Sequence, residues 1–211
     1  MQLRDKIFSE EKMYMRLKKA SEEEGLKDFG RALDYARKMH SGMVRKSSKF
    51  NNATVIPYII HPLMMACHAH ALGIRDDKVL TVIMLHDICE DCGIEPEELP
   101  FTEEIQMCVD RLTKRKGQDT GEYFSRIEKD PTAAIVKALD RVNNVSTMCT
   151  AFPREKEISY LEETEKFVYP LLDVIKYEFN EYNDAVFILK YHLRSLIETI
   201  SQGLKEREQD E

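Results

Sequence analysis

From residue 79 to residue 85 the chain is almost unbroken in apolar side chains (Val79, Leu80, Val82, Ile83, Met84, Leu85), and it then turns polar at His86-Asp87-Ile88-Cys89-Glu90-Asp91. An apolar run without alternation reads as a helix buried on most sides. Asp76-Asp77 cap it, and Gly93, Pro96 and Pro100 mark its exit after Asp91. Other helical stripes surround it. Residues 3–20 read as a peripheral helix carrying Met13 and Leu17, ended by a break at residues 21–25. Phe29, Leu33, Ala36 and Met39 recur at helical spacing over residues 26–40. A turn-rich stretch fills residues 41–57. Pro62 then opens a helix that runs to Gly73. Amphipathic patterns follow over residues 103–115, 122–129 and 132–148, the last lined by Ala134, Ile135, Ala138, Leu139, Val142 and Val145. After Pro153, residues 158–181 and 183–204 read as two long helices. Their stripes, Leu171, Leu172, Ile175 and Phe179, then Val186, Leu189, Leu193 and Leu196, fit a self-contained bundle or a helix-mediated homodimer equally well. Strand patterns are nearly absent. The expected fold is all-α: a peripheral helix over residues 1–25, a core over 26–150, and helices packed on that core over 151–211.

Apolar residues make up 43% of the 211, enough for a sizeable core. The net charge of −7 argues against a general nucleic-acid coat, so an anionic ligand would need a local basic patch. Two patches exist, Arg45-Lys46-Ser47-Ser48-Lys49 and Lys114-Arg115-Lys116. Each reads either as a solvated loop or as a phosphate contact. The five cysteines are odd in number, and Cys89-x-x-Cys92 has no second pair. Reduced thiols in a cytoplasmic protein are expected, with a redox pair at Cys89/Cys92 as the alternative. The N-terminus is polar, and the longest apolar run is too short to span a membrane, so neither a signal peptide nor a membrane partner is expected.

The candidate chemistry lies where charge interrupts these apolar stripes. One imidazole and three carboxylates (His86, Asp87, Glu90, Asp91) end the most apolar helix. On a helix reaching Asp91, His86 and Glu90 would share one face and Asp87 and Asp91 the next. His61 stands at the start of another buried helix. Asp140 falls inside the apolar pattern of a third, one turn before Asn144. Buried charge is costly unless compensated. For Asp140, the compensation is either a salt bridge from Arg141 or a metal ion. His40 falls near an inner face at a helix C-terminus, where a lone histidine is more often structural than a ligand, and His68 and His70 read as packing or surface residues.

His61, His86-Asp87 and Asp140, on three separate helices, resemble the H…HD…D pattern of HD-domain phosphohydrolases. Arg45-Lys46-Ser47, Pro57-Tyr58-Ile59…His61-Pro62, Leu85-His86-Asp87…Glu90-Asp91 and Asp140-Arg141…Asn144 together resemble the hydrolase domain of the Rel/SpoT-type alarmone enzymes, the small single-domain hydrolases above all. The resemblance covers residues 29–148. It implies an HD helical bundle that removes the 3′-pyrophosphate from guanosine 3′,5′-bis(diphosphate) (ppGpp) or the pentaphosphate. It also implies that His61, His86, Asp87 and Asp140 hold one divalent metal, manganese, although Fe²⁺ or Zn²⁺ suits such ligands too. Glu90 and Asp91 would act on the water and the leaving group. Arg45 and Lys46 would flank the base with Ser47 nearby, and Asn144 would contact ribose or phosphate. The expected partner is thus a small-molecule nucleotide. Residues 48–56 depart from the family's short link at the base-binding position. A phosphohydrolase for another nucleotide or phosphorylated metabolite is therefore the first alternative, and a silent nucleotide-binding regulator the second.

Overall fold

The computed structural model describes residues 9–45, 56–149 and 152–209, and the described residues are helical apart from turns and one isolated bridge. In order, the helices are α1 (Glu10–Glu23), α2 (Lys27–Met39), α3 (Ile60–Ala71), α4 (Asp77–Leu85), α5 (Ile88–Cys92), α6 (Glu103–Leu112), α7 (Thr120–Ile127), α8 (Pro131–Met148), α9 (Arg154–Glu163), α10 (Tyr169–Glu178) and α11 (Asn183–Gln209). Acid side chains start several of them. Asp76 accepts from the Val79 amide, Asp119 from Glu122 and Asp130 from Ala133, and Pro131 sits at the first turn of α8.

Helix α4 forms the centre. Every residue from Val79 to Leu85 is buried, packed mainly against α2, α3 and α8. Burial of this whole segment explains its lack of polar alternation. Helix α8 is almost as enclosed, because α10 and α11 cover its other side. Leu171, Leu172, Ile175, Val186, Leu189 and Leu193 are buried there, so both C-terminal stripes face inward. No helix among the described residues is long and apolar enough to cross a membrane.

Three elements differ from the sequence pattern. The first helix continues through Ser21 to Glu23, and the break falls at Glu24-Gly25, where Gly25 takes φ 71°. Ser21 stays helical by donating its hydroxyl to the Lys18 carbonyl. The expected single helix ending at Asp91 is two: α4 stops at Leu85, His86-Asp87 form a turn, and α5 restarts at Ile88. The expected helix over residues 158–181 starts earlier and contains a π-helical turn, Thr164–Val168. Pro170 follows that turn. Proline has no N–H for the Lys166 carbonyl and its ring would strike that oxygen, so a widened turn accommodates it.

Candidate metal centre

His61 is the second residue of α3 and is 1% exposed. Its Nδ1 lies 2.7 Å from Asn143 Oδ1 on α8. An amide oxygen only accepts, so Nδ1 carries the proton and the Nε2 lone pair points the other way. That Nε2 is 3.3 Å from Asp140 Oδ1 and 3.6 Å from Asp87 Oδ2. His86 is prepared in the same sense. Its Nδ1 donates to the Ile83 carbonyl at 2.8 Å, and its Nε2 is 3.2 Å from Asp87 Oδ2 and 3.9 Å from Asp140 Oδ1. The turn at His86-Asp87 is what brings both side chains of the pair to the same point.

His86 Nε2 is buried and makes no hydrogen bond. Leaving a buried polar atom unsatisfied costs about 1–3 kcal/mol. A cation among these groups removes that cost. The ligating atoms of His61, His86 and Asp140 all lie within 4.8 Å of one another, and this buried group could hold a metal ion. Two imidazole nitrogens with carboxylate oxygens suit a divalent transition metal.

The carboxylates are fixed by further bonds. Asp87 Oδ2 accepts from the Tyr58 hydroxyl at 2.6 Å. Asp140 Oδ2 accepts from Lys137 Nζ at 3.0 Å, and its Oδ1 accepts from the Asn144 amide. Arg45 Nη2 in turn donates to Asn144 Oδ1 at 2.7 Å. The partner of Asp140 is thus Lys137 and not Arg141. Arg141 is itself buried, its guanidinium lying 3.8 Å from the Tyr160 ring centroid and bonded to the Tyr160 carbonyl, Thr164 and Glu163.

Charge follows this geometry. Burial alone would lower the His86 imidazole, but Asp87 and Asp140 outweigh it and raise His86 to about 9. Burial would raise Asp140, yet the Lys137 charge and the His61 contact hold it well below the usual carboxylate range. Glu90 and Asp91 behave differently. Solvent reaches both, but crowded, partly desolvated surroundings push both carboxyls up, against a backbone hydrogen bond from Lys114 to Glu90 and the Tyr58 hydroxyl beside Asp91.

Of the residues singled out in the sequence, His61, His86, Asp87 and Asp140 come together, and Arg45 and Asn144 join them at one end. Glu90 and Asp91 diverge. Glu90 faces a polar cavity lined also by Lys114, Lys137 and Tyr123. Asp91 turns toward His40, with Oδ2 3.9 Å from its Nε2. Lys46 and Ser47 lie outside the described residues. Cys89 and Cys92 are free, and burial pushes the Cys89 thiol up to about 11, away from redox reactivity.

Four further residues surround the group: Tyr58, which the sequence shows only as part of the Pro57-Tyr58-Ile59 stretch, Lys137, Asn143 and His40. Tyr58 is three residues before His61, and Lys137 and Asn143 stand three on either side of Asp140, so helical spacing was the signal available. His40 was placed on an inner face. What spacing does not show is that it is 2% exposed with both ring nitrogens unbonded, tilted against the Tyr58 ring at 4.8 Å.

No family model matches the chain. Curated relatives do. Over 67% of its length it is 31% identical to the guanosine-3′,5′-bis(diphosphate) 3′-pyrophosphohydrolase of Aquifex aeolicus, covering 20% of that protein. Over 79% it is 30% identical to the GTP pyrophosphokinase of Streptomyces coelicolor, again covering 20%. Over 74% it is 29% identical to the probable GTP pyrophosphokinase of Mycobacterium leprae, covering 21%. The chain therefore spans about a fifth of the length of these relatives. Among solved structures, it shares its fold with a metazoan ortholog of SpoT described as hydrolyzing ppGpp and playing a role in starvation responses. That match has a TM-score of 0.64 at 21% identity and covers 84% of this chain and 96% of the other. Relatives and fold agree: the chain has an all-helical HD-type fold and is similar to the hydrolase domain of the Rel/SpoT enzymes.

Proposed function

We propose that the protein is a metal-dependent hydrolase that removes the 3′-pyrophosphate from ppGpp or the corresponding pentaphosphate, and that it works in the cytoplasm. The observation that carries this reading is the convergence of two imidazole Nε2 atoms, each with its Nδ1 already committed, on the carboxylates of Asp87 and Asp140. His61, His86, Asp87 and Asp140 would hold one divalent cation. Manganese is our choice, and the donor set suits Fe²⁺ or Zn²⁺ as well. Such an ion supplies Lewis acidity, both to water and against phosphate charge.

The chain's own residues do the rest. Water oxygen bonds to the phosphorus next to the ribose, and the bond from that phosphorus to O3′ breaks. The proton leaving the water ends on O3′, giving inorganic pyrophosphate and a nucleoside 5′-diphosphate from ppGpp, or a 5′-triphosphate from the pentaphosphate. Glu90 and Asp91 hold that proton in transit. Their raised carboxyls suit exchange with water and with a departing alkoxide. Arg45 and Lys46, with Ser47, take the base, and Asn144, already bonded to Arg45, takes the sugar.

The test is incubation of the purified chain with ppGpp and Mn²⁺. Pyrophosphate and GDP should form in equal amounts, and a chelator should stop the reaction. Inertness to ppGpp alongside turnover of another nucleotide would overturn the guanosine assignment. That second reading is favoured by one observation, the departure of residues 48–56 from the family's short link. Inertness to every nucleotide, with nucleotide still bound, would make the chain a binding regulator.

A further inference from the structure

Helix α11 carries a second stripe. Val186, Leu189, Leu193 and Ile197 are buried where α11 packs on α8 and α10. On the opposite side, Phe187 and Tyr191 are each 70% exposed and Ile188 is 43% exposed. Asp184, Phe187, Ile188, Tyr191, Arg194 and Glu198 recur at the spacing of one helix face, and all six are exposed. A single exposed apolar side chain is ordinary. Three large ones side by side form a patch, and a contiguous apolar patch marks a contact surface.

The charges that bracket the patch select what fits it. Asp184 stands before the aromatic pair and Arg194 after it, about 15 Å apart along the axis. Lay a second copy of the helix antiparallel, with a two-fold axis at Leu189. Phe187 then faces Tyr191 of the other copy, Asp184 faces its Arg194, and symmetry repeats both contacts. Other registers bring like charges together. A parallel pair sets Asp184 against Asp184 and Arg194 against Arg194. An antiparallel pair centred on Tyr191 sets Asp184 against Glu198. Like charges opposed across an interface are costly, so the register at Leu189 is favoured. Arg194 is equipped for it. Its Nε donates to Glu198 at 2.8 Å, which uses one of five guanidinium donors. That pair is exposed and contributes little, so it does not hold the guanidinium back.

We propose that this face of α11 docks on the same face of a second copy of the chain, antiparallel about Leu189, to form a two-fold dimer. Phe187 and Tyr191 of both copies bring four rings, each burying at most ~150–250 Å². The contact is therefore roughly 600–1,000 Å², below the ~1,200–2,000 Å² of stable complexes. The dimer is accordingly weak and concentration-dependent, with a dissociation constant on the order of micromolar or above. The metal group is built from α3, the His86-Asp87 turn and α8, and no residue of this face belongs to it. The inference thus stands independently of the 3′-pyrophosphohydrolase reading.

The test is sedimentation equilibrium of the full chain, from low to several hundred micromolar. The mass should climb from 24.6 kDa towards twice that value. Tyr191→Glu should hold it at one chain, with the helical circular dichroism and the Mn²⁺ affinity unchanged, because the side chain is exposed. Asp184→Lys alone and Arg194→Glu alone should each weaken dimerisation about tenfold or more, since each opposes like charges twice. The Asp184→Lys/Arg194→Glu double variant should restore it. A mass fixed at one chain throughout overturns the proposal and gives the patch to a different protein. A dimer that survives Tyr191→Glu overturns it by placing the contact elsewhere. A double variant no tighter than the single ones overturns the antiparallel register.

Discussion

The Tyr58 hydroxyl donates to Asp87 Oδ2 at 2.6 Å, and that same oxygen faces the Nε2 atoms of both His61 and His86. The tyrosine thus orients a carboxylate without joining the metal group. Loss of such an outer partner typically costs 10–100-fold in metal affinity. Tyr58→Phe should weaken Mn²⁺ binding by about that factor while the circular dichroism spectrum stays helical. Unchanged metal affinity would remove Tyr58 from any orienting role.

Metal binding should release a proton. Without metal, His86 is raised to about 9 and is protonated at pH 7.5. A cation needs the lone pair that this proton occupies. Calorimetric titrations of Mn²⁺ at pH 7.5, in buffers of different ionisation heat, should show about one proton released per ion. Apparent affinity should climb with pH and level off near 9. A pH-independent affinity across that range would mean that His86 does not ligate.

His40 makes an opposite prediction about stability. Burial lowers its imidazole to about 4, from an ordinary 6.5. Between those values the unfolded chain binds a proton that the folded chain refuses, so stability falls as pH drops below 6.5. The loss is about 1.4 kcal/mol per pH unit, or about 2 kcal/mol by pH 5. His86, raised to about 9 when folded, contributes the same change to both proteins and cancels in the comparison. In metal-free protein, His40→Leu should lose about 2 kcal/mol less than wild type between pH 7 and pH 5 in urea unfolding. Parallel losses in the two proteins would show that His40 is protonated while folded.

Glu90 and Asp87 are close in sequence and should respond differently. Asp87→Asn should abolish metal binding and turnover together. Glu90→Gln keeps an oxygen for the Lys114 amide. It should retain metal and lose about 10²–10⁴ in kcat. Metal loss in Glu90→Gln, measured by atomic absorption after dialysis, would place Glu90 among the ligands.

Much of the scaffold was legible, for a local reason. Amphipathic stripes such as Phe29, Leu33 and Ala36 and caps such as Asp76 and Asp130 act within a turn or two of chain, and periodicity registers them. The turn at His86-Asp87 was not legible, since no glycine or proline between Leu85 and Ile88 signals a stop. Partner choice was hidden as well. Arg141 is adjacent to Asp140 in sequence, but neighbours on a helix point about 100° apart, and Arg141 is drawn to the C-terminal helices while Lys137 takes the carboxylate. A lysine inside a helix ordinarily reads as solvated. Its bond to Asp140 and the Tyr123 ring beside it hold this one inside.

The isolated antiparallel bridge between Val44 and Pro57 brings two distant stretches side by side, with the Arg45 amide donating to the Ile56 carbonyl and the Tyr58 amide to Met43. Arg45 and Tyr58, one reaching Asn144 and the other Asp87, are therefore held by a clasp that does not depend on the chain between them. Each doubling of a clasped segment costs only about 0.6 kcal/mol in closure entropy. Under the proposed function, residues 46–55 could be lengthened or rewritten to change the nucleotide recognised while the metal group stays as it is.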